Sequence, residues 1–499
     1  MGIDKLLWSH DATFLAQQVN KGELDPVELV DAAISRAELV NPEINAVAEK
    51  LYDRARERAK AVDRKLPLAG VPFAVKDLGI AQRGVPTHSG SRVEAFVPDF
   101  DSVLTERYLD AGLVPIVTST SPEHGLRLVT ESKAFGATRN PWNTGHTSGG
   151  SSGGSASLVA AGVVPAAHAS DGGGSIRVPS ATTGLVGMKV SRGRVPLTPI
   201  ASESWYGFVV DHVVTRSVRD SALLLDLTHG ADPLSPYQAF APQKGTFLQA
   251  AKRKPGKLAI AVYRASPLGL PVSDETMAAL DAAIALAREG GHSVEEIELP
   301  MANRAFIADF ARSVASSVAG QMRLEATRVG HGVIGEIERS TRVLARLGNV
   351  LTAGEVYEGV QRLHAASREI IATTAKYDAV LMPVIAHPPV KVGEMDATGM
   401  DEALENLLDK LHLTRLLKFD AFLGQLMDKS LWFTHWTPIQ NVTGQPAISL
   451  PVHVTAGGLP IGIQAVGRPG DEETLYALAG EMEKLSGWLD RRAPFHVPQ

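Results

Sequence analysis

The sequence contains no cysteine. Disulfides, thiolate nucleophiles and cysteine–metal sites are therefore excluded. No apolar run reaches the ~18 residues a membrane helix needs. There is no long basic tract either. The only short one, AKRKPGK at residues 251–257, reads as a solvated connection. With a net charge of −6, the chain lacks the basic face expected of a nucleic-acid binder. The N-terminal MGIDKLLWSHDATFLAQQV has no charged segment followed by an apolar stretch, so no signal peptide and a cytoplasmic setting are expected. Aromatic residues are few, at 6%.

What is present suits a large core: 499 residues, 44% of them hydrophobic. Length alone suggests about three domains. However, no Pro/Gly/Ser-rich linker divides the chain and no internal repeat occurs, so a single domain over residues 1–499 is expected. Residues 26–40 have apolar side chains at helical spacing behind Asp25 and Pro26, a helix start. A second helix is predicted over 46–65. Residues 68–79 read as a buried strand ending in a turn, 102–112 as a helix and 113–120 as a strand. Residues 155–162 read as a small-residue helix and 163–170 as the strand after it. Strand then helix is repeated at 209–227, and again at 257–263 and 273–291. Residues 303–347 and 400–429 read mostly as helices, 379–384 as a buried strand and 446–467 as a hairpin. This alternation indicates an α/β protein with a substantial sheet.

Two glycine-rich runs stand out: GHTSGGSSGGSASLVAAG at 145–162 and ASDGGGSIRVPS at 169–180. The first turns abruptly into an apolar helix, which a flexible linker rarely does. Neither run contains a G-x-x-x-x-G-K-[ST] or G-x-G-x-x-G phosphate loop. The G-x-G-x-x-G match at 330–335 lies in a predicted helical region without a strand before it. Residues 149–153 fit the G-x-S-x-G nucleophile elbow, but the preceding TRNPWNTGHTS reads as turns and not as the strand that motif requires.

The second run suits an oxyanion site. Consecutive glycines let backbone N–H groups approach a ligand closely, and Ser175 follows directly with a hydroxyl. A tight structural turn with an incidental serine is the alternative. A hydroxyl nucleophile needs a base. Among fifteen histidines, His88, His168, His212 and His435 lie in plausible places, yet none sits in a recognisable pattern. Lys76 ends an apolar segment, where burial would lower its pKa and yield a neutral amine. A lysine paired with Asp77 or reaching to solvent is the alternative. There is no S-x-x-K pair.

Taken together, GVPFAVKDLG at 70–79, GGSSGGSASLVAAG at 149–162 and SDGGGSIRVPSATTGLVGMK at 170–189 resemble the amidase signature family. The resemblance is densest over 70–196 and returns at 437–467. The spacings also resemble that family, with 75 residues from Lys76 to Ser151 and 24 from Ser151 to Ser175. It implies an α/β amidase signature fold, a large mixed β-sheet covered by helices on both faces. It also implies a Ser–Ser–Lys triad: Ser175 as nucleophile, Ser151 as the bridging serine after a cis Gly150–Ser151 bond, and Lys76 as base. N–H groups of Gly172, Gly173, Gly174 and Ser175 would form the oxyanion hole, and Asp171 and Arg177 would brace the loop. The implied reaction is hydrolysis of a linear or cyclic amide, with aryl amides, carbamates and esters as further candidates, and needs no metal or cofactor. The expected partner is a small-molecule amide, with a homodimer as the expected assembly and neither nucleic acid nor a membrane.

Two positions depart from the family pattern: Ser148 stands where proline is frequent, and Gly172 where threonine or isoleucine is frequent. The stretch at 168–194 is similar to the subgroup that includes 6-aminohexanoate cyclic dimer hydrolases. The alternatives are an amidotransferase A-type subunit using glutamine in a tRNA-dependent complex, and a non-catalytic binding protein on the same fold. Specificity is expected in the helical region at about 300–430 and in LWFTHWTP, where Trp432, Phe433 and Trp436 either line a substrate pocket or pack in the core.

Overall fold

The computed structural model describes residues 2–239, 241–242, 245–396, 418 and 420–496. Among them, eleven strands form one mixed sheet. Its order is Val47–Lys50, Val114–Ser119, Pro72–Lys76, Ala166–Asp171, Val210–Thr215, Val186–Lys189, Ala447–Val454, Pro460–Val466, Ala379–Pro383, Ala259–Val262 and Ser293–Glu296. Pro72–Lys76 runs parallel to both of its neighbours, Val114–Ser119 and Ala166–Asp171. The centre is antiparallel, and the far edge becomes parallel again.

Successive strand side chains point to opposite faces, and both faces of this sheet are apolar. On Ala379–Pro383, Ala379 and Leu381 enter one buried cluster and Val380 and Met382 the other. The first cluster is closed by helices such as Asp274–Glu289, through Leu280, Ala283 and Ile284, and Glu472–Ser486, through Leu475, Leu478 and Met482. The second is closed by Arg304–Val329, through Phe306, Phe310 and Val314, and Ala353–Thr374, through Leu363, Ala366 and Ile370. Each fully buried leucine or phenylalanine contributes roughly 1.5–3 kcal/mol, so both layers hold the sheet in place. The helices are thus on both faces, as expected.

The helix starts follow their caps. The Asp25 carboxylate accepts from the N–H groups of Val27 and Glu28, and Pro26 occupies the first turn of Pro26–Ile44. The helix expected over 46–65 is shorter, Tyr52–Ala61. Its first residues instead form the strand Val47–Lys50, antiparallel to Val114–Ser119. Pairing with a sheet edge outweighs the helical propensity of Ala-Glu-Lys there, and the charged, partly exposed Glu49 and Lys50 blunt that edge. Of the region 303–347, the structure forms Arg304–Val329 and Arg339–Val350, and the glycine motif at 330–335 lies in the turn between them. Of the helix expected over 400–429, Asp420–Leu431 is present; residues 400–417 and 419 lie outside the described residues. No helix among the described residues is long and apolar enough to cross a membrane.

Candidate active site

Because Pro72–Lys76, Val114–Ser119 and Ala166–Asp171 are parallel, their C-terminal ends meet at one edge of the sheet, where α/β folds place ligand sites. Lys76 is the last residue of its strand and Asp171 the last of another. The crossover helix Gly153–Ala160 begins beside them and is buried throughout. Its small residues allow that. A Cβ on Gly154 would lie 2.5 Å from the backbone N and O of Thr120. Ser155 Oγ lies 2.7 Å from Ser119 Oγ and donates to the His168 carbonyl. The residues before this helix are not all turns: Asn143–Thr147 is a short strand paired with Arg139–Asn140. That expectation is corrected. The Asn140 amide side chain donates to Thr147 O within the hairpin and to Thr182 O, tying the hairpin to the helix Arg177–Thr183.

Lys76 is 1% exposed. Its amine donates to Ser151 Oγ at 2.7 Å and Ser170 Oγ at 2.9 Å. Burial pushes its pKa down from 10.5 to about 7, against the charges of Asp211 and Asp171, which act to raise it. It does not pair with Asp77, whose carboxylate accepts from the N–H groups of His88 and Gly90. The Gly150–Ser151 bond is cis. Gly149 takes φ +74°, and a Cβ on Gly150 would lie 2.7 Å from Val129 N, so glycine is required at both positions.

The second glycine run is tied down by Asp171. Its carboxylate accepts from the N–H groups of Gly174, Ile176 and Arg177, from the Arg177 guanidinium at 2.9 Å and from Asn441. Asp171 and Arg177 are fully buried, and the guanidinium holds the carboxyl well below the usual range. Arg177 also donates to Gln440, Gln464, Thr437 O and Asn441. These contacts tie Asp171 and Arg177 to the loop and to the segment 437–441. One expectation changes. The Gly174 N–H is committed to Asp171 Oδ1 at 2.7 Å, so it is not aimed at a ligand. Among the described residues no group accepts from the N–H groups of Gly172, Gly173 or Ser175.

Ser175 is 6% exposed and, with Gly173, lines a cavity of about 1010 Å³. Apolar walls come from Leu126, Trp205, Phe310, Val314, Met427 and Trp432. Of the three aromatics weighed in the sequence, Trp432 lines this cavity. Phe433 and Trp436 do not: both are fully buried in the core, and the Trp436 indole donates to Ala265 O.

Among the described residues no histidine bonds either serine. His88 bonds Glu49, His212 bonds Ser221 and His435 bonds Ser266. His168 lies 3.7 Å from Asp211. Burial lowers His212 to about 3 and His435 to about 4, so both are neutral at pH 7. Sequence reasoning missed Ser170, the second partner of Lys76, and the polar bed of Gln440, Asn441 and Gln464. It also missed Trp205 and Phe310. Ser170 lies within a quoted motif, and its position at the end of a parallel strand was the available signal.

The amidase family model matches residues 28–476. A 6-aminohexanoate-cyclic-dimer hydrolase of Pseudomonas sp. (strain NK87) is 32% identical, covering 97% of this chain and 96% of that protein. A solved structure of 6-aminohexanoate cyclic dimer hydrolase superposes with a TM-score of 0.90 at 30% identity, covering 98% of this chain and 99% of that one. The structure of a bacterial aryl acylamidase of the amidase signature family gives a TM-score of 0.83 at 25% identity, covering 98% and 99%. These likenesses identify an enzyme that hydrolyses amide C–N bonds, in preference to an amidotransferase subunit or a non-catalytic binding protein. The chain belongs to the amidase signature family.

Proposed function

We propose that Ser175 is the nucleophile of this amidase, Ser151 its proton shuttle and Lys76 its base. The observation that carries the reading is the 2.7 Å bond from a buried, pKa-lowered amine to Ser151 Oγ. Neutral Lys76 takes the Ser151 proton as Ser151 takes that of Ser175. The Ser175 oxygen adds to the amide carbonyl carbon, and the carbonyl oxygen becomes negative among the N–H groups of Gly172, Gly173 and Ser175. Ser151 then delivers the proton to the departing nitrogen as the C–N bond breaks. Water repeats the sequence on the acyl-enzyme and releases the carboxylic acid.

The substrate we infer is a linear or cyclic amide built on a methylene chain. Its support is the apolar wall beside Ser175 and the likeness to a 6-aminohexanoate-cyclic-dimer hydrolase. We further propose one catalytic domain over the whole chain, a homodimeric cytoplasmic enzyme, and no nucleic-acid partner. The test is a panel of cyclic amides, linear amides, anilides, carbamates and esters, with wild type beside Ser175→Ala and Lys76→Ala. Turnover of an amide that falls about 10³-fold or more in both variants is expected. Undiminished turnover in either overturns the assignment.

A further inference from the structure

Trp205 touches the very backbone that the reaction uses. A Cβ on Gly172 would lie 2.9 Å from Cε3 and Cζ3 of the Trp205 ring, and a Cβ on Gly173 would lie 3.4 Å from Phe310 Cζ. Each of these two glycines is therefore covered by an aromatic ring, and both rings line the cavity beside Ser175. The Trp205 ring is held from behind. Trp205 and Tyr206 take φ +50° and +58°, a left-handed conformation uncommon for bulky residues and frequent at functional sites. The turn is closed by the Phe208 N–H donating to Trp205 O. It is fastened to the helix Arg304–Val329 by Tyr206 Oη, 2.7 Å from Ser316 Oγ, and by the Phe208 ring, 5.9 Å from that of Phe310.

The two sides of the scissile bond meet different surroundings. The departing nitrogen must face Ser151, whose Oγ lies 3.2 Å from where a Gly125 Cβ would be. The acyl side then lies away from Ser151. With the carbonyl oxygen held among the covered glycines, its first carbon is one bond from that carbonyl, on the side the rings cover.

We propose that Trp205, supported by Phe310, is the specificity-determining wall of the acyl site, admitting acyl groups unbranched at the carbon next to the carbonyl and rejecting branched ones. This rests on the reading that Ser175 attacks and that Gly172 and Gly173 hold the oxygen. On this proposal the flat ring against the glycine backbone lets a methylene chain or an aryl ring lie along it and opposes a substituent rising from the first carbon.

The experiment compares hexanoyl and 2-methylhexanoyl 4-nitroanilide, which share a leaving group and differ by one methyl. Wild type is expected to favour the straight chain, and Trp205→Ala to lower the straight-to-branched kcat/KM ratio about 10-fold or more, the scale of one methyl group in a tight pocket. Gly172→Ala is expected to lose about 10-fold or more with both substrates, because its methyl meets the ring. The double variant with Trp205→Ala should recover part of that loss, a coupling expected of residues in contact. An unchanged ratio in Trp205→Ala, with Ser175 still labelled by a fluorophosphonate, overturns the wall alone, as do strictly additive losses. Turnover that persists in Ser175→Ala overturns the underlying mechanism and the wall with it.

Discussion

Replacing Lys76 by methionine should change how stability depends on pH. The amine titrates at about 7 in the fold against 10.5 when free. At 1.36 kcal/mol per pH unit, the charged form is disfavoured inside the protein by about 5 kcal/mol. The sign follows from proton counts. Between pH 7 and 10.5 the unfolded chain holds this proton and the folded chain does not, so raising the pH favours the fold through this group. Below pH 7 both states are protonated and the dependence vanishes. From pH 7 to pH 9 this one group adds about 2 kcal/mol to wild type and nothing to Lys76→Met. Lys189, also lowered to about 7 by burial, titrates in both proteins and cancels in the difference. Parallel urea melts of the two proteins at pH 7, 8 and 9 measure it. Wild type should gain about 2 kcal/mol relative to Lys76→Met across that range. The same titration sets the acid limb of kcat/KM, with half-maximal activity near pH 7. A stability difference that does not move with pH, or an activity limb near 10, would refute the reasoning.

Other sites give sharper or simpler outcomes. Asp171→Asn leaves the fully buried Arg177 charge without its carboxylate, which should cost about 3–5 kcal/mol in thermal or urea melts and slow fluorophosphonate labelling of Ser175. Ser170→Ala removes one hydrogen-bond acceptor of the Lys76 amine. The charged form loses support, so the acid limb of kcat/KM should move to lower pH, a shift that a merely structural role would not produce. Gly154→Ala places a methyl 2.5 Å from the Thr120 backbone; soluble yield and melting temperature should both fall, as expected of overpacking against rigid main chain.

The proposed catalytic constellation was legible in the sequence because such chemistry leaves unusual local marks. A lysine closing an apolar strand, a glycine run opening a buried helix and three glycines ahead of a serine are all rare by composition, and the structure brings Lys76 to Ser151. Long-range pairing left weaker marks. Residues 47–50 read as helix because nothing local announces the neighbouring strand that captures them. The expected oxyanion run includes Gly174, whose N–H is committed to Asp171, because an N–H group bonded to a carboxylate three residues earlier looks the same in sequence as a free one. Phe433 and Trp436 could not be told from Trp432: all three lie within five positions, and only the turn of the chain decides which of them reaches the cavity. Trp205 was invisible because its role depends on a contact with Gly172, 33 residues away.

The central claim is that a neutral lysine, acting through one serine, activates another. The direct measurement is fluorophosphonate labelling followed by peptide mass spectrometry on wild type, Lys76→Met, Ser151→Ala and Ser175→Ala. The account predicts a single adduct on Ser175, absent in Ser175→Ala and formed about 10³-fold more slowly in Lys76→Met and Ser151→Ala. An adduct on any other residue, or labelling of Ser175 at the wild-type rate without Lys76, would contradict it.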